Sequence, residues 1–414
     1  DVYKRQVIDY TKDIPDINRL NNSMKAKGIL KKVEPPKFEW LMGDNESDRT
    51  NIFWSPIIGG NTYDRFMLGA AFHNYGIVPT KWNYLVAPMY SFGRKMVSGV
   101  AEFGMVTHPK KHFKRSRIGL SIKSFKHDST FRNNDSYFLT ISPSWNVQLG
   151  SRDKKAVNYK QSILVQGLFR MDKFGPTQFD HGGAFAQYDF DWKIPDHKVN
   201  IRLRNDFISN LANTDQMARL RFSAKYALRY TQKVQDRWIE VRGFFGNQYL
   251  RSYSNGGTTP GHFSGYQYSM SLSGTDGQQD LFTEEYFFGR NEISGIWSQQ
   301  RSDNMGGFRS TSYYGTTDRW MLTGNMWIQF PYLPKMFGAF VDAGVFHNGS
   351  SESTVLNMGL GIKIQDIFGL YFPLWMSKEL NDSFGNSKYA EKIRFTLNFN
   401  LSLIHISEPT RRPI

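Results

Sequence analysis

Apolar and polar residues alternate with a period of two along most of this chain, in stretches of roughly ten residues. Between positions 63 and 72, for example, alternate positions switch between apolar residues and small or polar ones. This is the period of a β-strand with two different faces, and it predicts about sixteen strands. The predicted strands are 63–72, 82–92, 97–106, 117–125, 137–147, 162–170, 183–192, 198–207, 218–230, 238–246, 266–272, 320–330, 336–346, 356–364, 369–375 and 392–399.

The lengths of the predicted connections point in the same direction. Near the end of the chain, 381–388 and 347–353 are the longer connections, whereas 366–368 and 331–335 are short. Bacterial outer-membrane barrels alternate short periplasmic turns with longer external loops, and a soluble β-sandwich has no reason to do so. The alternation favours a membrane barrel, and it predicts that the last strand runs toward the periplasm.

The composition agrees with such a barrel. The chain has 33 Phe, 21 Tyr, 10 Trp and 36 Gly, and its mean hydropathy is negative, as expected where only every second residue faces lipid. Aromatic residues also collect near the ends of the predicted strands, as they do at membrane interfaces. We therefore predict an all-β fold, an antiparallel transmembrane β-barrel of about 14 to 16 strands in a bacterial outer membrane. A soluble all-β binding protein is the alternative fold.

Both ends of the chain indicate a foreign origin. Residues 1–6 (DVYKRQ) match the translation of a transposon end used to prepare sequencing libraries. Residues 401–406 (LSLIHI) match the reverse complement of that element, and 407–414 continue into adapter-like sequence. We expect 1–6 and 401–414 to be adapter-derived. Residues 7–55 are then a connector from a missing upstream domain, and 56–400 are the barrel.

The net charge and the absence of cysteine limit which partners and which catalytic or metal-binding groups the chain can have. The formal net charge is +15, which favours anionic partners such as nucleic acid or anionic lipid. The chain has no cysteine, which excludes thiolate metal sites, cysteine nucleophiles and disulfides. It also lacks the H-E-x-x-H, G-x-S-x-G, P-loop and dinucleotide-binding motifs. We predict no catalytic, cofactor-binding or metal-binding residue in this chain.

Two residue pairs come nearest to a catalytic or metal site. His108 and His112 are four residues apart, but Pro109 between them indicates a loop and not the helix that would align two imidazoles for zinc. Glu284 and Glu285 are adjacent and would point to opposite faces of a strand. This arrangement does not suit shared acid and base catalysis.

A basic cluster is the remaining candidate site. Only Phe113 could stack on a base there, so we expect no nucleic acid as a partner. If the loop is external, the phosphates of lipopolysaccharide are the natural ligand; otherwise it is a solvated loop. The cluster consists of Lys110, Lys111, Lys114, Arg115 and Arg117.

Several stretches of the sequence resemble one family of proteins and not only outer-membrane barrels in general. Residues 28–35 (GILKKVEP) and 54–69 (WSPIIGGNTYDRFMLG) resemble the entry into the C-terminal barrel of large Bacteroidetes membrane-associated zinc metallopeptidases of the aminopeptidase N type, the gluzincins. Further stretches, scattered over most of residues 28 to 400, are similar to later parts of the same region. They are 85–93, 287–292, 306–309, 371–376 and 392–399.

The resemblance implies a function for the barrel. In that family zinc is bound by H-E-x-x-H and a distal Glu in a domain upstream of the barrel, so no catalytic residue carries over to this chain. The resemblance implies a non-catalytic outer-membrane anchor whose partners are membrane lipid and the upstream peptidase domain. The alternative is a transport or insertase barrel in which the lumen is the functional part. Basic charge concentrated on inward-facing strand positions would favour anion transport, whereas a lumen filled by bulky side chains and loops would favour an anchor.

Overall fold

A computed structural model describes most of the chain between residues 5 and 397. The described residues are 5–8, 11, 13, 23–25, 36–43, 50–61, 64–76, 80–93, 95–109, 113–126, 136–150, 158–174, 177–211, 215–231, 236–252, 269–273, 295–301, 305–310, 314–349, 351–364 and 367–397.

Nearly all regular structure in these residues is β-strand, as predicted. The first strands are β1 (Arg5–Val7), β2 (Ser23–Lys25), β3 (Pro36–Trp40), β4 (Thr50–Asn61), β5 (Arg65–His73), β6 (Trp82–Ser91), β7 (Met96–Thr107), β8 (Phe113–Phe125), β9 (Ser136–Leu149), β10 (Tyr159–Phe174) and β11 (Thr177–Lys193). They are followed by β12 (His197–Asn210), β13 (Gln216–Thr231), β14 (Arg237–Ser252), β15 (Met270–Ser271), β16 (Thr316–Thr317), β17 (Trp320–Gln329), β18 (Phe337–Asn348), β19 (Ser351–Ile364), β20 (Phe368–Met376) and β21 (Arg394–Leu397). The helices are α1 (Lys378–Asp382), α2 (Tyr389–Lys392) and a 3-10 turn at Ile296–Gln299.

Seventeen of the described strands form one closed barrel. Strands β4–β14 and β17–β21 follow one another around the wall in chain order, and β3 lies between β21 and β4, parallel to β4. Apart from β3, the wall therefore has sixteen strands, which confirms the predicted antiparallel barrel of about 14 to 16 strands. Because a closed sheet pairs its backbone polar groups around the ring, it can span a lipid bilayer.

The barrel has two different ends. The connections 253–319 and 377–393 leave the wall at the same end, which we call the loop end. The opposite end, with the connections 194–196 and 365–367, is called the turn end. Strand β4 runs from the turn end to the loop end, so the chain enters the wall at the turn end.

The outer face of the wall is apolar. Along β19, Leu356, Met358 and Leu360 are exposed, while the residues between them are buried. Large apolar side chains are exposed in the same way around the ring. They include Ile58, Phe66, Leu68, Phe103, Ile118, Leu120, Val165, Phe169, Leu203, Phe207, Phe222, Val241, Leu322 and Leu374. An apolar band on the outside of a closed barrel is the lipid-facing surface of an outer-membrane protein, in agreement with the predicted location.

The barrel begins earlier in the chain than the predicted boundary at residue 56. Strand β4 begins at Thr50 and β3 at Pro36, both within the predicted connector 7–55. Pro36 is the first residue of β3, a position at which a strand tolerates proline. Pro56 and the adjacent Gly59 and Gly60 hide the alternation of β4 in the sequence.

One predicted strand, 266–272, does not belong to the wall. Of its described residues 269–272, Met270–Ser271 is extended, and it pairs with β16 in a separate two-stranded sheet. Met270 and Leu272 are fully buried. The apolar residues of this stretch are therefore covered inside the barrel, which a local pattern does not distinguish from packing in a wall.

The predicted long connection at 347–353 is wrong. Strands β18 and β19 continue their pairing to Asn348 and Ser351, so Gly349 and Ser350 alone join them. Gly349 has a φ of 64°, which glycine adopts without steric cost. The long connection before the last strand and the tight turn near 366 agree with the prediction. Loop and turn lengths therefore alternate only in part.

The end segments are described only in part. Residues 401–414, which we expect to be adapter-derived, lie outside the described residues, and β21 is described only to Leu397. Arg5–Val7 pairs with Ser23–Lys25 in a two-stranded sheet apart from the barrel. Among the described residues, no helix is long and apolar enough to cross a membrane.

Candidate functional site

Part of the connection between β14 and β17 folds into the barrel. We call its described residues 269–273, 300–301 and 305–310 the lumenal segment. Met270, Leu272 and Phe308 of this segment are fully buried. They form one core cluster with wall residues on four strands, Phe244, Met321, Phe346 and Val355. The lumen of the barrel is therefore filled in this sector.

Polar contacts hold the backbone of the lumenal segment against the wall. Thr323 Oγ1 on β17 donates a hydrogen bond to the carbonyl oxygen of Gly306 at 2.7 Å. The guanidinium of Arg242 on β14 donates from Nη2 to the carbonyl oxygen of Met305 at 2.6 Å and from Nη1 to Asn325 Oδ1 at 3.1 Å. These contacts satisfy backbone carbonyls that would otherwise lose hydrogen bonds on burial.

Arg309 makes the strongest of these contacts, with Asp342 on β18. Its backbone N–H donates to Asp342 Oδ2 at 2.7 Å, and its Nη1 donates to Asp342 Oδ1 at 2.6 Å. Asn325 Nδ2 donates to the same Oδ1 at 3.0 Å, and Asp342 is fully buried. We call the Arg309–Asp342 pair the latch, because it joins the lumenal segment to the wall through a charged, doubly hydrogen-bonded contact.

Three aromatic rings of the wall surround the Arg309 guanidinium. Its Cζ lies 5.9 Å from the ring centroid of Trp327, 5.4 Å from that of Phe340 and 5.8 Å from that of Tyr371. The Tyr371 ring is at 89° to both of the others. We call these three rings the aromatic socket. A cation at such distances from ring faces is stabilised electrostatically, and more so away from water.

Glycines on neighbouring strands make room for the aromatic socket. A Cβ atom at Gly359 would lie 2.9 Å from the Phe340 ring, and one at Gly338 would lie 2.6 Å from the Trp327 ring. At Gly361 it would lie 3.1 Å from Trp327. A side chain larger than hydrogen at these positions would therefore collide with the socket.

Residues 295–301 contact the second long connection and β21, which pairs with the turn-end residues of β20. The backbone N–H of Arg301 donates to the carbonyl oxygen of Phe395 on β21 at 2.9 Å, and Gln299 Nε2 donates to the carbonyl oxygen of Ala390 at 2.9 Å. Leu380 of α1 is fully buried in the same cluster as Phe308. The two long connections therefore pack together over this sector of the lumen.

Toward the turn end, the inner face of β12 carries charged side chains that are exposed. On the inward face of β12, Lys198 is exposed and the side chain of Arg202 is 50% exposed. Arg202 pairs with Asp189 at 2.7 Å. Glu240 of β14 accepts from Lys225 at 3.0 Å and from Lys363 of β19, across the lumen, at 2.9 Å. We call this region the vestibule, a partly exposed part of the inner face with charges of both signs.

Toward the loop end, the same face of β12 becomes buried. Asp206 is fully buried and pairs with Arg204 at 2.5 Å. Arg219 and Arg221 of β13 each contribute a nitrogen 2.9 Å from Asp206 Oδ2. Three arginines surround one carboxylate, so this part of the inner face carries net positive charge, the feature that favours anion transport. The lumen thus combines a basic patch on its inner face with an internal segment that fills it, the two features expected of different functions.

The structure does not assemble a site from the candidates that the sequence suggested. Glu284, Glu285, Lys110, Lys111 and His112 lie outside the described residues. Within the described ranges, no group of three or more His, Asp or Glu residues could hold a metal ion.

Two members of the basic cluster, Arg115 and Arg117, lie on β8 near the turn end, opposite Gln148 and Asn146. In the orientation predicted from the sequence the turn end is periplasmic, so lipopolysaccharide would not reach them. The contact with lipopolysaccharide stays a prediction that depends on the orientation of the barrel.

The latch was missed because its halves are far apart in the sequence. A local signal was present: Asp342 is a lone carboxylate in the otherwise small or apolar run 338–346. On a two-faced strand in lipid, a charge in such a run must face the lumen and needs a partner. Residues 306–309 were noted only for their resemblance to other barrels.

No family model and no curated protein matches the chain. Among solved structures, CdiB from Acinetobacter baumannii is similar over 80% of this chain and 57% of that chain, with 10% identity and a TM-score of 0.33. CdiB from Escherichia coli is similar over 80% of this chain and 60% of that chain, with 12% identity and a TM-score of 0.38. The chain therefore spans less than two thirds of the length of these proteins. At such low similarity, the function has to be argued from the residues of this chain, which form a transmembrane β-barrel with a latched segment in its lumen.

Proposed function

We propose that this chain is a gated transport barrel of a bacterial outer membrane, in which the lumen is the functional part. The observation that carries this proposal is the change in exposure along one inward face. On β12 the side chain of Arg202 is 50% exposed, whereas that of Arg204, two residues further toward the loop end, is 5% exposed. The vestibule thus leads from the turn end to a closed region within the same barrel.

The lumenal segment is the gate in this proposal. Its described polar attachments to the wall include the latch, the Arg242–Met305 contact and the Thr323–Gly306 contact. All of these are non-covalent, so they can be exchanged without unfolding the wall. A segment that served only to fill the lumen would not need a buried charge pair, because apolar packing of similar volume is often at least as stable.

We expect a methyl group at Gly306 to loosen the gate. A Cβ atom there would lie 2.8 Å from both the Cα and the carbonyl oxygen of Leu272, which are backbone atoms of the same segment. The Gly306→Ala variant should therefore open more often than the wild type in planar lipid bilayers. Gly324→Ala is the matched control, because a Cβ at Gly324 meets nothing within 4 Å. Equal open probabilities for Gly306→Ala and the wild type, with both proteins folded, would contradict the proposal.

A second candidate function is the anchoring of an upstream zinc metallopeptidase domain. It rests on the resemblance of residues 28–35 and 54–69, and the direction of β4 supports it, because the chain enters the wall at the turn end, the end at which the vestibule lies. A domain joined to residue 7 could then hand its products to the lumen. The gene sequence upstream of Val7 tests this: an in-frame H-E-x-x-H motif with a distal Glu is expected, and an upstream domain without zinc ligands would remove the candidate.

A further inference from the structure

The wall supplies every part of the aromatic socket, and the lumenal segment supplies only the cation. Trp327 lies on β17, Phe340 and Asp342 on β18, and Tyr371 on β20. The three rings are at most 2% exposed. The socket is therefore a property of the barrel itself, and Arg309 is the group that fills it.

Departure of Arg309 would leave a buried charge. Asp342 is fully buried, and its described neighbours on the wall, Asn325 and Asn357, are neutral amides. A buried carboxylate that loses its cation is strongly destabilised. Gate opening therefore costs least when another cation takes the place of Arg309.

The geometry selects the kind of cation. Nη1 of Arg309 reaches both Asp342 Oδ1, at 2.6 Å, and the carbonyl oxygen of Met326, at 3.1 Å, while the planar group lies among the three rings. A guanidinium offers several donors in one plane and stacks on aromatic faces. A lysine ammonium is a compact, strongly hydrated charge that does neither as well.

A second arginine of the same segment approaches the same ring. The Cζ atom of Arg301 lies 5.5 Å from the Tyr371 ring centroid, and Arg301 is 1% exposed. Tyr371 thus contacts two arginines that one stretch of chain brings to the wall. This is the arrangement expected of a surface that recognises an arginine-bearing polypeptide.

We propose that the aromatic socket together with Asp342 is a receptor for arginine side chains. Arg309 occupies it within the chain, and an arginine of a polypeptide in transit takes it when the gate opens. This inference rests on the proposed transport function and names its substrate class. An arginine on the transported polypeptide is then the signal that releases the lumenal segment.

Calorimetry on the full-length chain in detergent micelles tests the receptor without any transport assay. In the Arg309→Ala variant, N-acetyl-arginine amide should bind with a stoichiometry of about one, and roughly tenfold more tightly than N-acetyl-lysine amide. Binding should disappear in Arg309→Ala/Asp342→Asn. It should be weak in the wild type and in the control Arg251→Ala, which loses an arginine that pairs with Asp318 elsewhere.

Three results would overturn the receptor: no arginine binding by folded Arg309→Ala, equal binding by the wild type, or no preference for arginine over lysine. If Arg309→Ala does not fold, the wild type in planar bilayers serves instead. There, arginine amide but not lysine amide should raise the open probability, and no change at saturation would contradict the receptor. Gating by Gly306→Ala together with an absence of arginine binding would keep the transport function and remove only this inference.

Discussion

Replacing Asp342 with alanine is expected to destabilise the barrel by about 3–5 kcal/mol, because it leaves the Arg309 guanidinium buried without its carboxylate. Asp342 accepts from both the backbone and the side chain of Arg309, and it is fully buried. The measurement is the urea concentration at which the folded, heat-modifiable band disappears from a gel after equilibration in lipid. Asp342→Asn should lower the free energy of unfolding by less, because the amide oxygen still accepts one of the hydrogen bonds.

The control for this prediction is Asp382→Ala at the end of α1, where the carboxylate is exposed. A surface substitution of this kind changes stability by less than about 0.5 kcal/mol. Equal losses for Asp342→Ala and Asp382→Ala would show that the latch does not stabilise the folded barrel.

Replacing Leu360 with arginine is expected to destabilise the inserted barrel by about 2–4 kcal/mol, the cost of arginine near the middle of a bilayer. Leu360 lies on the outer face of β19, where it is 43% exposed and paired with Ala339 and Phe372. The same urea titration in lipid vesicles measures the loss.

Thr354→Arg is the matched control, because Thr354 is exposed on the same face of β19 but closer to its end. Near an interface the cost of arginine falls to about 0–1 kcal/mol. If both variants lose the same free energy, or neither loses any, the outer face of the wall is not embedded in lipid.

The barrel could be predicted from the sequence because its strands have two different environments. Lipid on one side and the lumen on the other impose alternation on each strand, as in Leu356–Met358–Leu360 of β19, and this pattern is local. Strand β4 was missed because Pro56, Gly59 and Gly60 interrupt the alternation. Strand β3 was missed because five residues after two prolines carry too little pattern.

The contents of the lumen could not be predicted in the same way. The stretch 266–272 has the alternation of a strand, but its residues are buried by contact with Phe244, Phe346 and Val355. These partners are far away in the sequence, so a local hydrophobic pattern cannot predict contacts with them. The same holds for the latch, in which wall strand β17 and the following turn separate Arg309 from Asp342 along the chain.

The two functions weighed from the sequence relied on opposite states of the lumen, one basic and open, the other filled. The structure has both features in one barrel, with partly exposed charges such as Lys225 and Lys363 on the inner face and a filled sector beside Phe308. A filled sector is therefore compatible with transport, provided that the lumenal segment can move out of the lumen.

Locking the lumenal segment to the wall tests the central claim most directly. The chain has no cysteine, so Arg309→Cys/Asp342→Cys introduces a single possible disulfide in place of the latch, with each single variant as a control. In planar bilayers, the oxidised double variant should stay closed, and reduction should raise its open probability well above that of the wild type. A disulfide that does not form, or a conductance that is the same before and after reduction, would contradict a latched gate in the lumen.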